Sequence, residues 1–301
     1  MHTISPDGPT GWQPAKAASL NRMRPFSFAF PLSTTPMFKN LQPLDSVQHR
    51  QLRFDTRQRY QYAAQEMAIP LVASELAMAA REYPIVFSTL PGQAPSALVG
   101  WQRGSNAHVR ADGRWLGRYV PAHVRRYPFQ LVGMPHDEAA PTDAAGTRQL
   151  LVAIDADAPQ LGSETGERLF DDEGQPTPVL AQVQKVLANL QADLQRTQVL
   201  SQQLEDAGLL QAQSLRLRLP AGRSAQLEGL RVVNAAALAQ LSAEQLQQLN
   251  RSGALQMAYA QLASMTNLED GLLAAINQGA AEVQISDNAL DFSGIDWSRL
   301  Q

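Results

Sequence analysis

A chain of 301 residues, 44% hydrophobic and 18% charged, holds enough apolar mass for one large core or two modest ones. Its formal net charge of −3 provides no global positive field, which excludes the usual counterion-release route to nucleic acid. With no cysteine, disulfides, thiolate metal sites, iron–sulfur ligation and a cysteine nucleophile are excluded together.

Residues 1–36 contain Pro6, Pro9, Pro14, Pro25, Pro31 and Pro36, one short semi-apolar patch at 26–31 and no small-residue cleavage pattern after it. They read as a disordered N-terminal extension rather than a signal peptide, which places the protein in the cytoplasm. Met37 opens the first patterned segment and is an alternative start to Met1. Nowhere does an apolar run approach the roughly 18 to 20 residues that a membrane helix needs.

From 56 to 66 the pattern is weakly helical, and 67–72 reads as a short extended stretch interrupted by Pro70. Ser74 is placed to cap a helix over 75–82 that Pro84 stops. Strand-like runs follow at 85–88, 97–101, 107–110 and 114–120, the last two flanking Asp112-Gly113, a dipeptide that favours a tight hairpin. Runs at 129–133 and 150–154 continue the strand-rich half, separated by a polar loop at 136–147.

Beyond Gly174 the character changes. Thr177 and Pro178 suit the start of a long helix to about Ala207, with Gly208 as the residue past its end. Leu180, Val183, Leu187, Leu190 and Leu194 step by three and four, a seam suited to packing on a sheet or to a homodimer contact through the 178–207 helix. Alternation at 215–219 and the run 227–233 predict paired strands around Pro220-Ala221-Gly222. Helices follow at 242–253, where Ser242 and Gln245 form a capping box, at 255–265 and at 268–277, before a low-pattern tail from 279 to 301. The predicted fold is α+β: a sheet-rich N-terminal half and a helical C-terminal half packed on one core, spanning 37–278.

Several collinear strings carry a resemblance. They are Glu75-Leu76-Ala77-Met78-Ala79-Ala80-Arg81-Glu82-Tyr83-Pro84-Ile85-Val86-Phe87, Ala97-Leu98-Val99-Gly100, Gly113-Arg114-Trp115-Leu116-Gly117-Arg118-Tyr119-Val120-Pro121-Ala122 and Arg125-Arg126-Tyr127-Pro128-Phe129. Further pieces are Gly166-Glu167-Arg168-Leu169-Phe170 and Leu227-Glu228-Gly229-Leu230-Arg231-Val232-Val233. With these the chain resembles the SapC family over about 37–273. The resemblance implies a protein from a family named for a surface-layer gene cluster, whose members sit beside flavin-dependent tryptophan halogenases, cupin-like proteins and TonB-dependent receptors. It transfers no catalytic residue. The peptide-transporter permease of the same name is excluded, because the sequence has no spanning helix.

Candidate site residues concentrate between 103 and 126, where Arg103, Arg110, Arg114, Arg118, Arg125 and Arg126 face Asp112 as the sole acid. Guanidinium groups at this density suit bidentate contact with carboxylate or phosphate. A turn on Asp112-Gly113 would set Arg110 opposite Trp115, His108 opposite Gly117 and Asn106 opposite Tyr119, making one polar aromatic face. Val109, Leu116 and Val120 would then face the core. The competing reading is a solvated face on which Arg110 stacks against Trp115 for about 0.5–1 kcal/mol. Glu75 is either a carboxylate of this site or a helix-start acid. Asp155 and Asp157 are either strand-end functional acids or turn formers. The histidines have no metal-ligand spacing, and no phosphate loop, nucleophile elbow or dinucleotide fingerprint occurs, so no metal and no cofactor is expected.

The functional expectation is an accessory or binding protein, non-catalytic, that recognises a small anionic or peptide-like ligand or a partner protein through the arginine and aromatic hairpin. The partner would be an enzyme, a flavin-dependent halogenase by family association, or a surface-uptake system. The alternatives are an enzyme of unknown reaction using Glu75, His108 and neighbouring arginines, and a secreted surface-layer component.

Overall fold

The computed structural model describes residues 37–57, 59–133, 150–218, 224–273 and 283–285. The expected extension at 1–36, the loop at 136–147 and the turn at 220–222 lie outside them. In chain order the strands are β1 (Leu41–Pro43), β2 (Arg53–Phe54), β3 (Ala68–Pro70), β4 (Ile85–Ser88), β5 (Ser96–Leu98), β6 (Phe129–Gly133), β7 (Leu150–Asp155), β8 (Leu161–Gly162), β9 (Glu167–Arg168), β10 (Leu210–Arg218), β11 (Ser224–Val233) and β12 (Val283–Ile285). The helices are α1 (Leu76–Ala79), α2 (Ala122–Arg125), α3 (Pro178–Asp206), α4 (Ala235–Ala239), α5 (Ala243–Ser252), α6 (Ala254–Ser264) and α7 (Asn267–Asp270). The fold is α+β, with sheets prominent in the N-terminal half and helices in the C-terminal half. Among the described residues no helix is long and apolar enough to cross a membrane.

The chain divides into two compact units. The smaller takes in Asn40–Thr56 and Pro128–Lys185 and holds two three-stranded sheets, ordered β1-β7-β6 and β8-β2-β9. Asp155, at the end of β7, is fully buried and accepts the N–H groups of Asn40 and Asp157, while Asp157 accepts from the Asn40 side chain. This is the turn-forming use of these acids.

The larger unit takes in Arg57–Tyr127 and the chain from Val186 onward, and it carries the six-stranded sheet β12-β10-β11-β4-β5-β3. Pro70 is compatible with β3 because β3 pairs on one side only, with β5. One core in this unit joins Met67, Val86 and Leu98 from the N-terminal half to Leu230, Val232, Met265 and Leu268 from the C-terminal half. Trp101 is buried beside them and donates its indole N–H to the Leu273 carbonyl at 3.2 Å. Polar pins complete the attachment of α6. Gln261 accepts from the Val233 N–H and donates to the Ile85 carbonyl, both at 3.0 Å, and Ser264 accepts from the Ile85 N–H at 2.9 Å.

Helix starts and stops follow the sequence closely in the C-terminal half. Gly208 stands past α3 at φ +66, with the Leu209 N–H reaching the Leu204 carbonyl and the Gly208 N–H reaching Glu205, the paired bonds of a Schellman end. The Ser242–Gln245 capping box forms, and Gly253 ends α5 at φ +96. Leu180, Leu187, Leu200 and Leu204 of α3 are buried within the chain itself. Two expected caps differ. The Thr177 hydroxyl donates to the carbonyls of Arg168 and Leu169 instead of capping α3, and Ser74 does not cap the helix near 75–82. That helix begins as a 3-10 turn at Ala73–Glu75, and Glu75 closes it by accepting the Val72 N–H at 2.9 Å. The weakly helical stretch at 56–66 keeps only a 3-10 turn, Gln61–Ala63.

Candidate functional site

The arginine-rich segment lies in the larger unit, and its turn is one residue longer than the dipeptide implied. The Gly113 N–H bonds the Arg110 carbonyl at 2.8 Å and the Arg110 N–H bonds the Arg114 carbonyl at 3.0 Å, leaving Ala111, Asp112 and Gly113 as a three-residue loop. Gly113 sits at φ +82, a left-handed conformation that favours glycine, and the Gln61 side chain lies where a Cβ would point. The odd loop length moves the register by one: Trp115 bridges Val109, not Arg110, and the Leu116 N–H meets the His108 carbonyl at 2.8 Å. A one-residue slip in a flat pair would exchange the faces, yet His108 still stacks on Trp115, and Asn106 and His108 are buried with Trp115 and Tyr119 half-buried. The expected face is directed into the protein instead of being displayed, and of its members Arg110 is the exposed one. The pairing is also reduced to this bridge, in place of two full strands.

His108 is fully buried and Asn106 is 6% exposed, whereas Leu116, expected in the core, is 41% exposed. Asn106 donates to the Ala63 carbonyl at 2.9 Å and accepts the His108 N–H at 2.9 Å, so it fastens the hairpin to the 3-10 turn. The His108 ring lies 4.9 Å from the Tyr83 ring and stacks at 5.8 Å on Trp115, and among the described residues neither ring nitrogen has a hydrogen-bond partner. Burial lowers its pKa to about 4, which keeps the imidazole neutral near pH 7.

Tyr83 joins this group to a second one. Its hydroxyl accepts the Trp115 indole N–H at 2.9 Å and donates to the Tyr119 carbonyl. Next to it, Glu82 accepts the backbone N–H groups of Arg118 at 2.7 Å and Tyr119 at 3.3 Å. Gly117 fits because a Cβ there would lie 2.5 Å from the Glu82 carboxylate and 2.8 Å from the Tyr83 hydroxyl.

The second group centres on Glu75, 4% exposed. Its Oε2 accepts the Tyr119 hydroxyl at 2.6 Å and the Ala122 N–H at 2.8 Å, while Oε1 is held by the Val72 N–H. Burial raises its pKa, opposed by these hydrogen bonds and by the charge of Arg125. Arg125 donates to the Tyr119 hydroxyl at 3.3 Å and to the Val120 carbonyl at 2.9 Å, and its guanidinium lies 5.7 Å from the Tyr119 ring centre. Burial is also the main reason that the Tyr119 hydroxyl titrates above its ordinary range.

The structure thus gathers Glu75, Tyr119 and Arg125 into one chain of contacts, and His108 and Trp115 into another, with Tyr83 linking the two. Arg126 is turned elsewhere, 5.0 Å over the Phe38 ring with an Nη2 to His123 Nε2 distance of 3.5 Å, and burial lowers its pKa to about 10. Arg110 stands exposed at the turn. Tyr83 and Glu82 are the members that sequence reasoning missed; the signal available was their adjacency in the string shared with the family. Chemically, Glu75 and His108 are poor acid–base candidates here, since one has its lone pairs directed to three internal donors and the other is enclosed by rings. What faces solvent is cationic: Arg103, Arg110, Arg114, Arg118 and Arg125 are all exposed. Arg114 is engaged by Asp112 at 2.8 Å, an exposed pair of small energetic weight. Among the described residues no group of histidines and acids could hold a metal ion.

The model of the SapC family matches residues 44–270, most of the chain. No curated protein and no solved structure matches it.

Proposed function

This chain belongs to the SapC family, and we propose that it is a non-catalytic accessory protein that binds an acidic surface or peptide-like segment of a partner protein through the outer side of the 106–119 hairpin. One observation carries the reading. Arg110, Leu116 and Arg118 are all exposed on a hairpin whose inner side is fastened by Asn106, Tyr83, Glu82 and Glu75, and the exposed Arg125 follows on α2, its guanidinium against Tyr119. Arginine together with an apolar side chain is a recurrent make-up of protein interfaces, and a rigid presenting element lowers the ordering cost of binding. The partner class is an enzyme, with a flavin-dependent halogenase suggested by family association, or a surface-uptake system. A cytoplasmic location goes with the first of these and is tested by cell fractionation.

The test compares the wild-type chain with the triple variant Arg110→Ala, Arg118→Ala, Arg125→Ala as baits at native expression level, read by quantitative mass spectrometry. A partner recovered by the wild type and depleted about tenfold or more with the variant supports the reading, a change equivalent to about 1.4 kcal/mol. Equal recovery by both baits rejects the hairpin as the recognising surface.

A further inference from the structure

A second surface feature of the larger unit involves none of the hairpin residues. Between α1 and α6 opens a groove of about 580 Å³, within the size range of roughly 300–1,000 Å³ typical of ligand sites. Both facing helices present alanine to it, Ala77 and Ala80 from the α1 side and Ala260 and Ala263 from α6. Four methyl-sized side chains leave room for a bulky one to enter. Tyr259, 55% exposed, forms a wall, and Met78, on the same short helix as Ala77, is 47% exposed.

The lining contains one cation. Arg81 is exposed, and it has no ion pair or side-chain hydrogen bond among the described residues. The acid beside it in sequence, Glu82, already accepts the N–H groups of Arg118 and Tyr119. From this apolar floor with a single unneutralised cation, we infer that the groove docks a short acidic segment of a partner protein, inserting one bulky apolar side chain between α1 and α6 and pairing a carboxylate with Arg81. Tyrosine, methionine and arginine are side chains enriched at such contacts. A second copy of this chain is disfavoured as the occupant, because a two-fold contact through the groove would bring two Arg81 cations into one interface with no acid in the groove lining to neutralise them.

The test uses a fluorescein-labelled peptide of glutamates around a single tryptophan, with two control peptides: glutamine in place of glutamate, and alanine in place of tryptophan. The acidic tryptophan peptide is expected to bind saturably, with Kd on the order of 10–100 µM, and each control to bind about tenfold more weakly. Ala263→Leu and Ala77→Leu fill the groove from exposed positions, so each should lower affinity about tenfold while melting like the wild type. Arg81→Gln should weaken the acidic peptide and leave the glutamine control unchanged. Arg118→Ala and Arg125→Ala should change nothing, which separates this inference from the hairpin reading. Three results overturn it: no saturation up to about 1 mM, binding indifferent to both leucine variants, or a concentration-dependent dimer in sedimentation that the leucine variants abolish.

Discussion

The hydroxyl of Tyr119 and the carboxylate of Glu75 are 2.6 Å apart, and the same carboxylate also holds the backbone N–H groups of Ala122 and Val72. One buried side chain thus ties the start of α1 to the segment that leads from the hairpin into α2. Glu75→Gln would turn an amide NH2 toward a site where N–H and O–H donors converge, at a cost of about 2–4 kcal/mol. Tyr119→Phe removes one donor and should cost about 1–2 kcal/mol. Urea unfolding checks both, as a lower midpoint with unchanged slope. A Glu75 acting as a general base would instead leave stability nearly unaltered in the glutamine variant.

His108 predicts a pH dependence. Its pKa falls from 6.5 to about 4 on folding because burial disfavours the imidazolium. Between those values the unfolded chain binds more protons than the folded one, so stability drops as pH falls from 6.5 toward 4. The loss is at most about 3 kcal/mol from this group. Glu75 acts in the opposite sense: its folded pKa is raised, so its contribution is present below the ordinary carboxylate value and is lost as pH rises through the folded value. His108→Phe removes both unpartnered nitrogens and should flatten the acid limb of the stability curve while sparing stability at pH 7. Urea midpoints from pH 4 to 7 decide, and an unchanged acid limb in the variant would refute the assignment.

The two glycines at the hairpin fail for different reasons when substituted. Gly113→Ala meets a positive φ, while the exposed Gln61 side chain can swing aside, so about 1–2 kcal/mol of backbone strain is expected. Gly117 has no left-handed backbone requirement; there the added methyl meets the Glu82 carboxylate and the Tyr83 hydroxyl, which anchor the segment. Gly117→Ala should therefore release those anchors. Faster amide exchange at Arg118 and Tyr119, whose N–H groups Glu82 accepts, is the readout that a purely local clash would not produce.

Local rules made much of this molecule readable. Ile85–Ser88 and Phe129–Gly133 were visible as apolar runs, and the ends of α3 and α5 as Gly208 and Gly253, because caps and breakers act over a few residues. The short strands β1, β2, β8 and β9 were not visible, since strands of two or three residues have no period and exist through distant partners. The hairpin shows where local reasoning fails at a site. Asp112-Gly113 correctly marks a turn, but whether the loop holds two residues or three depends on the docking of Gly113 against Tyr60 and Gln61, more than fifty positions upstream. Which way the face points is set by partners also distant in sequence, since Ala63, Tyr83 and Glu75 hold Asn106, Trp115 and Tyr119 inward. Tyr83 was overlooked for a related reason: an aromatic before Pro84 reads as core, and its hydroxyl acquires meaning only once Trp115 and Tyr119 are brought to it.

Gln261 gives the sharpest test of how the helical half is attached to the sheet. It is 1% exposed, and its amide does what a neighbouring strand would do, accepting from Val233 at the end of β11 and donating to Ile85 at the start of β4. Gln261→Leu keeps comparable volume but leaves a buried N–H and a buried carbonyl without partners, at a cost of about 2–4 kcal/mol. Gln261→Glu retains the acceptor but sets a carboxylate oxygen against the Ile85 carbonyl in an apolar surround, and it should be the more damaging of the two. Ser264→Ala frees the Ile85 N–H and also removes the hydroxyl's own bond to the Gln261 carbonyl in the last turn of α6; as the smaller truncation it should fall below both, at about 1–2 kcal/mol. The ordering Ser264→Ala, Gln261→Leu, Gln261→Glu in denaturation midpoints is the expected result. A Gln261→Leu variant within about 0.5 kcal/mol of the wild type would mean that water reaches both backbone groups, and that α6 is held by its apolar contacts alone.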